Sequence, residues 1–520
     1  MTSPSRAPRT SLWLSRPRPA NAGWPALIDS VDVEVAVVGG GIVGATTAML
    51  LAAEGKRVAL LEANTMSGGT TGHSTGKATV HTGSSFRELT RHLGVDEARL
   101  VVDGDRAALD VLRKWAEELG IPEAVHEVTS WAYAMTESGR EELEAEQRAG
   151  AELGVISRWA QPDECPFGVA ALGVDDQLLI EPSLIVDAFA VRAAEHGALV
   201  HEYSPVTGID SAGDAITLTL ANGSTVVAQE VVLATQVPIL DRTMVFAACE
   251  YRRSHVVALE APDAFERAPH MYTGIDTGGL SVRPARLSGS DDRAVFVVAG
   301  HGHPLDHDED GTHIDGLVAE AQALTGGGEL HQGWVTHDVF PADGRPFVGP
   351  VRADEHIYIA TGFGGWGLAR GVASAMSISA QILRGHARWE HPLDAQRLGA
   401  FVTPTAIKAG IRTLSTLVGD RLSADPVTAI EQLQTGTGTV VHAEGRSVAV
   451  ARDGDGTIHA VSATCTHQGC LVRHDDERGC WQCPCHGSRF TLDGDVLQGP
   501  AVKPLEPVGL HELGHPGAPR

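Results

Sequence analysis

Near the end of the chain, the stretches CTHQGC and CPCHGSRF set Cys465 two residues before His467 and Cys483 three residues before His486. Thiolates and imidazoles bind metals. Five of the seven cysteines crowd into residues 465–485, a local cluster rather than the even spread of a disulfide scaffold. Two cysteines with two histidines invite a zinc reading, yet C-x-H is poor spacing for a zinc knuckle, which uses C-x₂₋₄-C and H-x₃₋₅-H. A second constellation lies at the other end of the chain. Gly39, Gly41 and Gly44 have G-x-G-x-x-G spacing, and Glu62 follows Gly39 by 23 residues. Such glycines let the backbone turn and approach a pyrophosphate at a helix N-terminus, while the acid accepts ribose hydroxyls; this end reads as a dinucleotide site.

Both constellations need elements to hold them. VDVEVAVVG and KRVALLEA read as strands flanking a helix that starts near Ile42, the unit the glycine motif requires. From about residue 31 to 385 strand-like and helical runs alternate, as in an α/β or α+β enzyme domain, with residues 86–148 reading as inserted helices. Strand signals stop over 386–428, where a helix over 404–418 is expected within a linker. From 429 to 520 short β segments broken by Gly and Asp indicate a small all-β domain. Residues 1–30 read as a flexible tail.

The bulk numbers exclude several functions. With 520 residues the chain holds more than one domain. A net charge of −26, from 40 basic against 66 acidic residues, argues against a nucleic-acid binder. Residues 33–53 are apolar enough to suggest a membrane span, but their glycines and Glu34 favour strand, turn and helix, so no transmembrane segment is expected. The basic first 20 residues lack the apolar run of a secretory signal, and the expected location is cytoplasmic.

The pattern C-x-H followed by C-x-x-H, extended through CTHQGC, CPCHGSRF and DGDVLQGPAVKPL, resembles the Rieske [2Fe–2S] domain over about residues 429–510. The resemblance implies that Cys465 and Cys483 hold one iron and His467 and His486 the other. It also implies a disulfide between Cys470 and Cys485, and gives Cys480 no ligand role. Ser488 stands where high-potential members have a serine donor; Phe490 stands where they have a tyrosine donor, which implies a middling potential.

Residues 31–385 resemble the flavin-dependent amine and D-amino-acid oxidase family. The glycine motif, VVLATQVPIL, HDVFPADGRPFVGP and IYIATGFGGWGLARGVASAM carry that resemblance. It implies a Rossmann-like FAD-binding domain with an inserted mixed-sheet substrate domain, ahead of the all-β Rieske domain. By similarity Gly362 and Gly364 approach the isoalloxazine, and Val206 the adenine. The small-residue run SGGTTGHSTGKATVHTG suits a loop around the pyrophosphate and ribityl chain, with Thr71, Ser74 and Thr75 as donors and Gly76 allowing close approach. His73 occupies a place similar to that of a flavin-linked histidine in the dimethylglycine and sarcosine dehydrogenase branch. It could equally hydrogen-bond the flavin or face solvent.

A flavin takes two electrons together and a [2Fe–2S] cluster carries one, so the pair implies a dehydrogenase with an external one-electron acceptor, a protein or a quinone. The family implies an amine or amino-acid substrate. Arg283, then Arg286, are the candidate clamps for its carboxylate, and Lys77 and His255 the candidate bases. Two alternatives stay open: a 2-hydroxy acid or alcohol dehydrogenase on the same scaffold, and an electron-transfer protein without a small substrate.

Overall fold

The computed structural model describes residues 10–513, except 84, 214, 240–244, 277–278, 288–292, 306–312, 353–355, 388, 390–391, 398–429, 444 and 477. The helix expected over 404–418 lies outside the described residues.

The glycine motif sits in a six-stranded sheet ordered Phe347–Pro350, Ile357–Thr361, Glu230–Leu233, Val35–Val38 (β1), Val58–Leu61 (β2), Leu199–His201. All pairings are parallel except that between the first two strands. β1 (VAVV) and β2 (VALL) are buried at every position, as strands covered on both faces must be. The helix between them, Ile42–Ala53 (α1), is apolar almost all round because it packs between the sheet and the helices Pro182–Glu195 and Gly367–Arg384.

The inserted domain is built on a nine-stranded mixed sheet. Its central strands include Cys249–Glu260 (β3) and Ala294–Pro304 (β4), and helix His313–Thr325 (α2) covers one face. The region 86–148, read as helices, does contain Ser85–Glu118, kinked at Gly94, and Glu137–Glu152. Between them, however, runs the strand Val125–Ala134. Its second half, SWAYA, is wholly buried, and Trp131 and Tyr133 fit a sheet interior better than a helix face.

The first 30 residues are not a loose tail where they are described. Leu12 and Trp13 are 2% and 1% exposed. Trp13 Nε1 donates to the Ser74 carbonyl at 2.7 Å. Arg18 pairs with Asp187 and Glu202, each at 2.7 Å, and Arg16 pairs with Glu181. Arg16 and Arg18, out of place in an acidic chain, are counter-ions for carboxylates on the body.

The C-terminal domain is all antiparallel β, a three-stranded and a four-stranded sheet around Trp481 and Phe490, both fully buried. It docks on the flavin-type body. Arg253, 3% exposed, lies between His337 at 3.3 Å and Asp475 at 3.8 Å, and donates to Gln482. Among the described residues no helix is long and apolar enough to cross a membrane.

Candidate functional site

The two cysteine-histidine loops have the same shape. In each, the cysteine N–H donates to the carbonyl five residues on: Cys465 to Cys470 at 2.8 Å, Cys483 to Ser488 at 2.7 Å. The residue four positions on is a glycine that donates back to the cysteine carbonyl at 3.0 Å. Gly469 and Gly487 both adopt φ 79°, where a side chain would be strained. The loops face each other and are tied by the Cys470–Cys485 disulfide, Cα–Cα 6.5 Å.

Between them the Cys465 and Cys483 thiols share a hydrogen bond. That bond lowers Cys465 to about 7 and, together with burial, pushes Cys483 well above the ordinary thiol value. The rings of His467 and His486 lie 4.9 Å apart at 88°. Burial depresses them to about 4 and about 3, so both are neutral imidazoles with a lone pair to give. Nδ1 of each is buried without a hydrogen-bond partner among the described residues. Two free thiols and two orphaned imidazole nitrogens at one point are the donor set a Rieske cluster requires.

At the other constellation the glycines are needed for space. A Cβ on Gly39 would lie 2.6 Å from the Ala234 carbonyl oxygen, and one on Gly44 1.9 Å from that of Gly39. Gly39 also adopts φ 108°. Glu62 stands at the end of β2, its carboxylate accepting from Gly40 N at 2.6 Å and Asn64 N at 2.8 Å. Burial raises its pKa against these bonds. Thr71 Oγ1 accepts from Ile42 N at 3.1 Å, at the open start of α1.

Gly39, Gly40, Ile42, Glu62, Asn64 and Thr71 line one end of a cavity of about 760 Å³, which also takes in Ser74, Thr75, Val206, Gly362 and Gly364. A cradle shaped by glycines, with an acid at the next strand end, fits a dinucleotide. At the other end Lys77, Tyr251, Arg252 and His337 line the wall, and beyond them come His486 and Arg489 of the C-terminal domain. The Tyr251 ring is 4.9 Å from that of His486, edge to face, and Phe246 lies 5.6 Å from His486 and 6.4 Å from His467. One cavity therefore runs from the glycine motif to His486 of the cysteine-histidine donor set.

The sequence profile of the FAD dependent oxidoreductase family matches residues 34–381, more than half of the chain. The chain belongs to this family. A second profile, the Rieske [2Fe-2S] domain, matches residues 423–509 of this FAD-dependent oxidoreductase. It therefore pairs an FAD domain with a [2Fe–2S] domain, as the two motifs imply. Over 494 residues it is 29% identical to the Bacillus subtilis protein YhfW, whose name places it among Rieske 2Fe-2S iron–sulfur proteins; the match spans 94% of this chain and 95% of YhfW. Its fold is similar to that of glycine oxidase from Geobacillus kaustophilus, with a TM-score of 0.57 at 20% identity over 70% of this chain and 96% of that one. L-proline dehydrogenase from P. horikoshii gives 0.59 at 19% identity over 71% and 98%.

Several residues of this oxidoreductase do not lie where sequence reasoning put them. Arg283 is no substrate clamp: its guanidinium is buried over Trp13 and donates to the carbonyls of Gly76 at 2.8 Å, Ile180 at 3.0 Å and Pro284 at 2.9 Å. Burial lowers it to about 9. Gly76 serves this packing and not the cofactor, since a Cβ there would meet Arg283 Nη1 at 2.5 Å. Arg286 lies over Phe265, and neither arginine lines the cavity.

His73 is also absent from the cavity wall. Its Nδ1 bonds the Gly69 carbonyl at 2.8 Å within its own short helix. His255 is no base at the site, because it stacks against His303 and His313 away from the cavity. Lys77 does line it, with Nζ donating to the Tyr272 carbonyl at 2.5 Å and Ser281 Oγ at 2.7 Å. Burial first, and Arg283 second, hold it well below the ordinary lysine value.

Arg252 was missed. It carries no motif, and only the pairing of β3 with the strand Leu330–Pro341 brings it over Phe340, 5.3 Å from the ring centroid. Gly364 approaches the same ring, where a Cβ would lie 3.4 Å away.

Proposed function

We propose that the protein is a dehydrogenase that oxidises the C–N bond of an amine or amino acid to an imine and passes the electrons singly to an external protein or quinone. The observation that carries this reading is the single cavity with the glycine cradle at one end and the cluster ligand His486 at the other. When bound, FAD supplies a two-electron acceptor and the [2Fe–2S] cluster a one-electron carrier.

The chain's own residues supply the rest. Arg252, beside Phe340 and Gly364 in the cavity wall, is placed to pair with a substrate carboxylate. Lys77, whose pKa burial lowers well below the ordinary lysine value, takes the proton that leaves the substrate nitrogen. Tyr251 packs edge to face on His486, and Phe246 on His486 and His467. Glycine oxidase and L-proline dehydrogenase, which share the fold, support an amino acid over other classes.

The test is anaerobic mixing of the purified protein with amino acids, secondary amines and 2-hydroxy acids, reading flavin bleaching and the cluster's reduced-state EPR signal together. An amino acid or amine that bleaches the flavin and develops the EPR signal is the expected result. Bleaching by hydroxy acids alone, or by nothing in the set, overturns the reading.

A further inference from the structure

Three histidines that the proposed reaction does not use meet on the inserted domain. His255 is on β3, His303 near the end of β4, and His313 begins α2. Their ring centroids lie 4.8–5.6 Å apart: 5.1 Å for His255–His313, 5.6 Å for His255–His303 and 4.8 Å for His303–His313. One ligand nitrogen from each can be chosen so that all three lie within 4.8 Å of one another.

The backbone is irregular beside this meeting. Arg253 pairs with His303, but two positions on His255 pairs with Gly300, so β4 carries an extra residue there. That bulge contains His301 at φ 51°, a left-handed conformation in which a non-glycine residue is strained. Arg253 and His255 lie two apart on β3 and share a face, and His303, paired with Arg253, lies on that face with the bulge beside it. Strained bulges of this kind re-aim side chains at functional positions.

The ring hydrogen bonds orient the lone pairs. His303 donates Nδ1–H to the Pro304 carbonyl at 2.9 Å, a tautomer that leaves a lone pair on Nε2. The His255 ring is hydrogen-bonded to the main chain of His301, and its Nδ1, in a residue 2% exposed, has no hydrogen-bond partner among the described residues. An imidazole with one nitrogen fixed by a carbonyl and the other presented to a shared point is the usual outer arrangement of a metal-binding histidine.

We infer that His255, His303 and His313 bind one divalent cation of the zinc class, which fastens the start of α2 to the bulge between β3 and β4. Among the described residues the group holds three imidazoles and no thiolate or carboxylate, a set that suits zinc, copper or nickel rather than magnesium or calcium. With Zn–N of about 2.0–2.1 Å, tetrahedral ligands stand roughly 3.3 Å apart, so side-chain rotations of about 1.5 Å close the site. The site is separate from the Cys465/His467/Cys483/His486 set and from the cavity, so it stands or falls independently of the proposed reaction.

The experiment uses the full-length protein with flavin and cluster in place, treated with chelator, dialysed, and titrated with zinc chloride. Bound zinc, iron and flavin are counted in the wild type and in His303→Ala and His313→Ala. One zinc per chain is expected in the wild type, at unchanged iron and flavin content, with at least tenfold weaker binding in both variants. Zinc should also raise the thermal midpoint of the wild type and leave the variants unmoved. Zinc uptake equal in all three proteins, uptake accompanied by loss of iron, or no uptake overturns the inference. If one variant fails to retain flavin and iron, the other, together with His313→Gln, supplies the comparison.

Discussion

The cluster site and the cavity are built in opposite ways. The four cysteine and histidine donors that fit a cluster come from two loops of one shape, with the cysteines 18 residues apart, and each loop is closed by its own backbone hydrogen bonds and a left-handed glycine. The cavity instead gathers Gly39, Lys77, Arg252, His337 and His486, residues spread over most of the chain and over two domains. A locally closed loop specifies its ligands by spacing. A wall assembled from distant strands is specified by strand pairing, which spacing does not reveal.

That contrast can be broken most directly at the cluster. Cys483→Ser should abolish the Rieske EPR signal and lower turnover with an external acceptor by roughly 100-fold or more, since even outer-shell changes at metal sites cost 10–100-fold. Anaerobic flavin reduction by substrate should survive; its loss would mean that the two sites are not separable. The converse is Gly44→Ala, whose methyl would sit 1.9 Å from the Gly39 carbonyl oxygen. Purified protein should carry almost no flavin but full iron, and normal flavin content would show that the cradle is not where the dinucleotide binds.

Within the cavity, Lys77 is depressed by burial, so its free-base form persists to lower pH than an ordinary lysine's. The rate of flavin reduction should rise with pH through that depressed value. Lys77→Met should remove this limb and lower the rate by roughly 10²–10³-fold, within the usual range for general base catalysis. An unchanged pH profile would assign the proton to water. Arg252→Met should raise KM for a carboxylate substrate by roughly 10–150-fold, the equivalent of about 1.5–3 kcal/mol for a hydrogen bond to a charged group, and leave a carboxylate-free amine unaffected. Equal effects on both substrates would remove the clamp.

The smallest effect concerns the cluster's tuning. Phe490 fills the core beside Trp481 without a hydroxyl, while Ser488 hydrogen-bonds Cys465. The potential should fall in the middle of the range of about −150 to +300 mV, and Phe490→Tyr should move it upward in a redox titration. A wild-type value at the top of the range would show that burial outweighs the absent donor.

Reading the chain alone succeeded where chemistry is packed into short segments. The glycine spacing and Glu62 led to the FAD domain, and C-x-H with C-x-x-H led to the Rieske domain. It failed where residue type suggested a role but partners lay far away. Arg283 looked like a clamp because arginine suits carboxylates, yet the carbonyls of Gly76 and Ile180 and the ring of Trp13 occupy it. The first 30 residues looked unstructured because their arginines had no visible counter-ions; Glu181, Asp187 and Glu202 are more than 160 residues away in sequence.

The sequence by itself determined both cofactors, because a ligand set and a phosphate cradle depend on a few residues at fixed short separations. Only the tertiary structure decided that the glycine cradle and His486 line one cavity, that Arg252 and not Arg283 lines it, and that three histidines meet beside a bulge. Those outcomes depend on strand register and domain docking, which arise from the sum of many distant contacts and leave no local pattern.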